Sequence, residues 1–153
     1  MKQFITMEKV EDSIQYRSLQ AGDHRFIALW CLFDPLQEPN QLLKWLYDKE
    51  RTVDGNEFFD IRKKDGVIAL YDRSEWLEGE EYRSVFPDEN KRFDMSYKNF
   101  EEILLRWEKL RVSMPEIILL VIHEDNHVSL ETDPTIIKEY QDAGYAFDID
   151  KTA

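Results

Sequence analysis

The chain has 153 residues, 32 acidic against 20 basic, a formal net charge of −12, and 42% apolar residues. That is enough material for one core in a single domain spanning 1–153, and it excludes global disorder. A field of this sign repels nucleic acid and anionic membrane and attracts basic partners.

Residues 123–153 hold eight acids against two bases, half of the net charge in the last fifth of the chain. The N-terminus, Met1 to Glu8, lacks a signal peptide's apolar core and small-residue cleavage site. The longest apolar run, Ile117 to Ile122, is too short to cross a bilayer. Cys31 is the one cysteine, which rules out an internal disulfide and reads as a small core residue. Together these features predict a cytoplasmic protein.

In chain order, residues 13–19 alternate and read as a strand or short extended piece, and Ala21-Gly22-Asp23 turns the chain. The apolar stretch from His24 to Phe33 suits a buried strand or a buried helix; periodicity does not separate the two, and strand is favoured. Asn40, after Pro39, is the expected N-cap of a helix carrying Leu42, Leu43, Trp45 and Leu46 and ending near Arg51. Phe58, Phe59 and Ile61, then Val67 to Tyr71, flank Lys63-Lys64-Asp65-Gly66, a hairpin signal. Residues 74–91 read as a long loop.

Ser96 caps the clearest predicted element, a helix over 97–111. Phe100, Ile103, Leu104, Trp107 and Leu110 make its core face, and Glu102 and Arg106 are an i,i+4 pair opposite. Ser113 and Pro115 end it. Ile117 to Ile122 reads as a strand covered on both faces. Glu124-Asp125-Asn126 turns the chain, Val128 and Leu130 alternate with polar residues on the return, and Asp133-Pro134 opens a short helix closed by Gly144. The expected class is α+β: an antiparallel or mixed sheet packed by two to three helices.

His123-Glu124-Asp125-Asn126-His127 matches H-E-x-x-H, which holds zinc when a helix puts both imidazoles on one face. Here the match follows a strand-type run and centres on Asp-Asn, a turn pair, so a turn is expected and no metal ligand or cofactor is assigned. No G-x-S-x-G, G-x-x-x-x-G-K or G-x-G-x-x-G occurs, and no catalytic residue is assigned. The candidate binding residues are acidic and aromatic. Glu78, Glu80 and Glu81 share the predicted loop with Trp76 and Tyr82, while Glu124, Asp125, Glu131 and Asp133 flank the predicted turn and return strand.

The run Ser96 to Leu110, then Met114-Pro115-Glu116-Ile117-Ile118, an acidic turn and Val128-Ser129-Leu130 resembles a pattern in immunity proteins of bacterial contact-dependent inhibition and other polymorphic-toxin systems. There a capped amphipathic helix with a Trp precedes an apolar strand and a polar hairpin. The resemblance covers about a quarter of the chain. It implies a cytoplasmic, non-enzymatic protein whose partner is a basic toxin domain rather than nucleic acid or membrane. Two other readings stay open: an enzyme of unrecognised type with a weak metal site at His123 and His127, and an acidic adaptor or DNA mimic.

Overall fold

The computed structural model describes residues 3–11, 16–18, 28–33, 38–55, 59–72 and 92–143. The α+β class is borne out, and the strands divide into two antiparallel sheets of four. The first holds β1 (Gln3–Lys9), β2 (Tyr16–Ser18), β7 (Ile117–Ile122) and β8 (Val128–Glu131), in the order β2-β1-β7-β8. The second runs β3 (Val53–Gly55), β4 (Phe59–Lys64), β5 (Val67–Asp72) and β6 (Arg92–Ser96), in sequence order. Helices α1 (Pro39–Tyr47) and α2 (Tyr97–Ser113) share one hydrophobic core with an inner face of each sheet. A third, α3 (Pro134–Ala143), packs on the other side of the first sheet.

Strand β7 shows why an unbroken apolar run was needed. It lies between β1 and β8, and alternate residues enter different cores. Ile118, Leu120 and Ile122 face the main core, whereas Leu119 and Val121 meet Phe4 of β1 and Ile137 of α3. Tyr140 closes this smaller cluster, its ring edge-on to Phe4 at 5.9 Å. Both faces of the strand are therefore desolvated, and a polar residue at any of these positions would need a buried partner.

The β4–β5 hairpin turns at Asp65-Gly66, with φ of 54° and 82°. Two successive positive φ values match the right-handed twist of the flanking strands, as a two-residue hairpin requires. Helix α2 starts where predicted, the Ser96 hydroxyl accepting the Asn99 N–H at 3.0 Å. It runs to Ser113 and stops as Met114 turns left-handed at φ 49°. The Glu102–Arg106 pair does not form. Glu102 faces His127 instead, and Arg106 donates to the Thr132 hydroxyl. An exposed helical ion pair contributes only a few tenths of a kcal/mol, so contacts to β8's neighbours displace it.

Three other expectations are corrected. Residues 28–33 are helical, not extended: 28–30 are α-helical and Cys31–Phe33 form a 3₁₀ turn. Ala28, Leu29, Leu32 and Phe33 are the buried positions, a four-residue spacing that suits a helical turn; residues 24–27 and the Cys31 side chain lie outside the described part. Helix α1 takes its cap position from Glu38, because Pro39 occupies N1 and Asn40 falls inside the helix. It ends at Tyr47 rather than near Arg51. The Lys63 ammonium lies over the Trp45 ring, 4.6 Å from its centroid, and donates to the carbonyls of Trp45, Leu46 and Asp48. A cation there supplies donors to carbonyls at the C-terminal end of the helix, of which that of Trp45 also accepts the Asp48 N–H, and complements the negative end of its dipole. Burial pulls the Lys63 pKa below the usual lysine value.

Candidate functional site

The β7–β8 turn is a tight hairpin. The His123 N–H donates to the His127 carbonyl at 2.8 Å, the Asn126 N–H donates to the His123 carbonyl at 2.9 Å, and Asn126 is left-handed at φ 63°. This three-residue loop with a left-handed last position fits the small amide of Asn. The H-E-x-x-H segment is thus a turn, as its Asp-Asn centre implies. The two imidazoles are neighbours all the same, centroids 5.4 Å apart, and His123 Nε2 lies 3.2 Å from the Ser129 hydroxyl. Among the described residues no group of three or more His, Cys, Asp or Glu side chains is placed to hold a metal ion.

The four predicted carboxylates of this region fall into two groups at opposite ends of β8. Glu124 and Asp125 are exposed at the hairpin tip, while Glu131 and Asp133 stand where β8 leads into α3. The second group has local work. Glu131 accepts the Thr132 and Asp133 N–H groups, each at 3.0 Å, and Asp133 accepts the Thr135 N–H at 2.9 Å as the N-cap of α3. Asp125 accepts the His127 N–H at 3.1 Å. Trp76, Glu78, Glu80, Glu81 and Tyr82 lie outside the described residues.

The fold brings one further acid, Glu102, and the backbone of Asp94 to the hairpin tip. Glu102 of α2 sits 3.7 Å from His127 Nε2, and the Asn126 side chain donates to the Asp94 carbonyl of β6 at 3.2 Å. The tip is thereby seated between a helix and the edge of the other sheet. Asp94 is paired with Arg92, and Lys98 is exposed one turn before Glu102. With Glu102, Glu124 and Asp125 the end stays net acidic. Asp94 and Glu102 were missed because nothing in their spacing relates them to residues 124–125; only pairing across the two sheets does.

No family model matches the chain, and neither a curated protein nor a solved structure does.

What this end can do chemically follows from its composition. Exposed carboxylates on a hairpin pinned at both sides form a rigid, acceptor-only surface that suits Arg and Lys side chains. Pinning matters, since an interface that is ordered beforehand loses less entropy on binding. Among the described residues no helix is long and apolar enough to cross a membrane.

Proposed function

We propose that this chain is a non-enzymatic immunity protein that neutralises a basic toxin domain in the cytoplasm, docking its acidic hairpin end where the toxin holds an anionic substrate. The observation that carries the reading is the assembly of Glu102, Glu124 and Asp125 from a helix and a hairpin at one rigid end. The segment that resembles immunity proteins supports it. Capped α2 with buried Trp107, apolar β7 and the polar hairpin follow one another in the order the resemblance implies.

The electrostatics make the proposal coherent. A nuclease-type toxin needs a cationic groove for phosphate, and an inhibitor gains by placing carboxylates where phosphates would lie. Long-range attraction also raises association above the neutral rate of about 10⁵–10⁶ M⁻¹s⁻¹, which favours capture of a lethal target. The net charge of −12 is of the required sign.

The test is neutralisation. Co-expressed with a toxin domain encoded beside its own gene, the protein should restore growth and form a stable one-to-one complex. Reversal of Glu102, Glu124 and Asp125 to Lys should slow association and flatten its salt dependence. Failure to neutralise the neighbouring product, or an unchanged on-rate in the triple variant, would remove this reading.

A further inference from the structure

The outer face of the second sheet runs against the charge of the chain. Strand alternation puts Arg62 and Lys64 of β4, Tyr71 of β5 and Arg92 of β6 on that face, away from the core-facing Ile61, Ile68, Leu70 and Phe93. The register sets Tyr71 opposite Arg92 and Arg62 opposite Ala69. The two arginines are thus diagonal neighbours across one ring, with guanidinium carbons 5.9 Å and 5.8 Å from the Tyr71 centroid. Each is oriented by an acid two residues away on its own strand, Asp60 for Arg62 at 3.2 Å and Asp94 for Arg92.

Ala69 leaves a depression between these long side chains. The resulting open cavity has a volume of about 490 Å³ and is lined by Arg62, Lys64, Tyr71, Arg92 and the rim residues Val53 and Val67. Three cations face two carboxylates here. Asp60 occupies the Nε and Nη2 donors of Arg62, two of a guanidinium's five. Lys64 is exposed and makes no ion pair with any described residue.

We propose that this groove binds a small organic phosphate monoester, its dianion held by Arg62 and Lys64 and its apolar or planar body laid over Ala69 between Val53 and Val67. The volume is that of a small-molecule site, within the usual range of roughly 300–1,000 Å³. An extended polyanion would meet the field of the whole acidic chain. A small dianion senses mainly charges within one Debye length, about 8–10 Å, and the nearest described side chains on this face are three cations against Asp60 and Asp94. Fixed guanidinium forks suit phosphate oxygens, and the flanking apolar surface favours an ester over the inorganic ion. This site adjoins the hairpin end only at Asp94, whose carbonyl takes Asn126 and whose carboxylate pairs with Arg92, and it does not depend on the immunity reading.

The experiment uses the full chain with phenyl phosphate and inorganic phosphate as probes, followed by amide chemical shifts and by the melting temperature. Phenyl phosphate should bind saturably, shift β4 and β5 amides, and bind about tenfold more tightly than inorganic phosphate, as a buried apolar body predicts. Lys64→Glu should weaken it by about tenfold or more, the loss of one charge-assisted contact. Ala69→Leu, which fills the floor without changing charge, should do the same if it folds; Lys64→Glu alone decides if it does not. Absence of saturable binding, equal affinity for the inorganic ion, or undiminished binding by Lys64→Glu would overturn the proposal.

Discussion

Asn99 and Val128 exchange two hydrogen bonds, the Asn99 Nδ2 donating to the Val128 carbonyl and the Val128 N–H donating to Asn99 Oδ1, both at 2.8 Å. A side-chain amide in the first turn of α2 thus pairs with the edge strand β8 as a neighbouring strand would. It satisfies groups that would otherwise template aggregation or stay buried and unpaired. Asn126 does the converse from the hairpin, donating to the Asp94 carbonyl on the edge of the other sheet at 3.2 Å. The two amides join the facing edges β6 and β8, and α2 springs directly from β6 between them.

Asn99→Leu should therefore be costly although it swaps a polar for an apolar buried residue of similar volume. It leaves the Val128 N–H and carbonyl without their partner, which costs about 2–3 kcal/mol. Urea unfolding should show a lower midpoint with an unchanged slope.

Lys63→Met should destabilise the fold by about 2 kcal/mol, the cost of stripping a cation from the carbonyls at the C-terminal end of α1. Fluorescence of Trp45, whose ring the ammonium overlies, should change in the native baseline of the same melt. An unchanged stability would mean that solvent replaces the ammonium at the end of α1.

Tyr16 predicts an alkaline dependence. Burial, and secondarily the Glu116 charge, push its phenol up to about 12. Its hydroxyl donates to the Pro115 carbonyl and its ring packs edge-on to Trp107 at 5.6 Å. A pKa raised in the folded state gives stability that is complete below the unfolded value of about 10 and is lost as pH rises through about 12. Tyr16→Phe should flatten the stability–pH curve over that window and remove one phenolate that titrates at high pH from the 295 nm absorbance.

The two carboxylate groups around β8 should separate by stability. Asp133→Ala removes the α3 cap and should cost about 1 kcal/mol. Glu124→Lys, at the exposed tip, should change stability by less than about 0.5 kcal/mol while slowing association with a basic partner. Thermal melts and stopped-flow association on the same variants distinguish the two roles.

His123→Ala combined with His127→Ala should leave neutralisation intact, because the turn is held by backbone bonds and by Asn126, and Asn99 still ties β8 to α2 when the Glu102–His127 contact is lost. Loss of function in a folded double variant would return weight to a metal-assisted reading of the hairpin.

Much of this architecture was legible in order along the chain. The α2 core face, the Ser96 cap, the Asp65-Gly66 turn and the doubly buried β7 depend on local propensity and on burial periodicity, and both are written in consecutive residues. The run 24–33 was not legible, since an apolar stretch of that length suits strand and helix alike until its neighbours are known. Strand β1 went unread although Phe4 and Thr6 alternate with Ile5 and Met7, because each residue is decided by a partner more than a hundred positions away on β7.

The amino-acid order alone determined the sign of the field, the α+β class and a turn rather than a helix at 123–127, since charge, periodicity and turn chemistry are local or summed properties. Tertiary structure decided that the strands split into two sheets, that Asn99 and Asn126 join them, and that Asp133 caps α3 and Glu131 holds the turn before it while Glu102 joins the hairpin tip. It also decided that three cations gather on one face of an acidic protein. Those outcomes depend on which edges and faces meet, and that is set by the joint burial of distant residues.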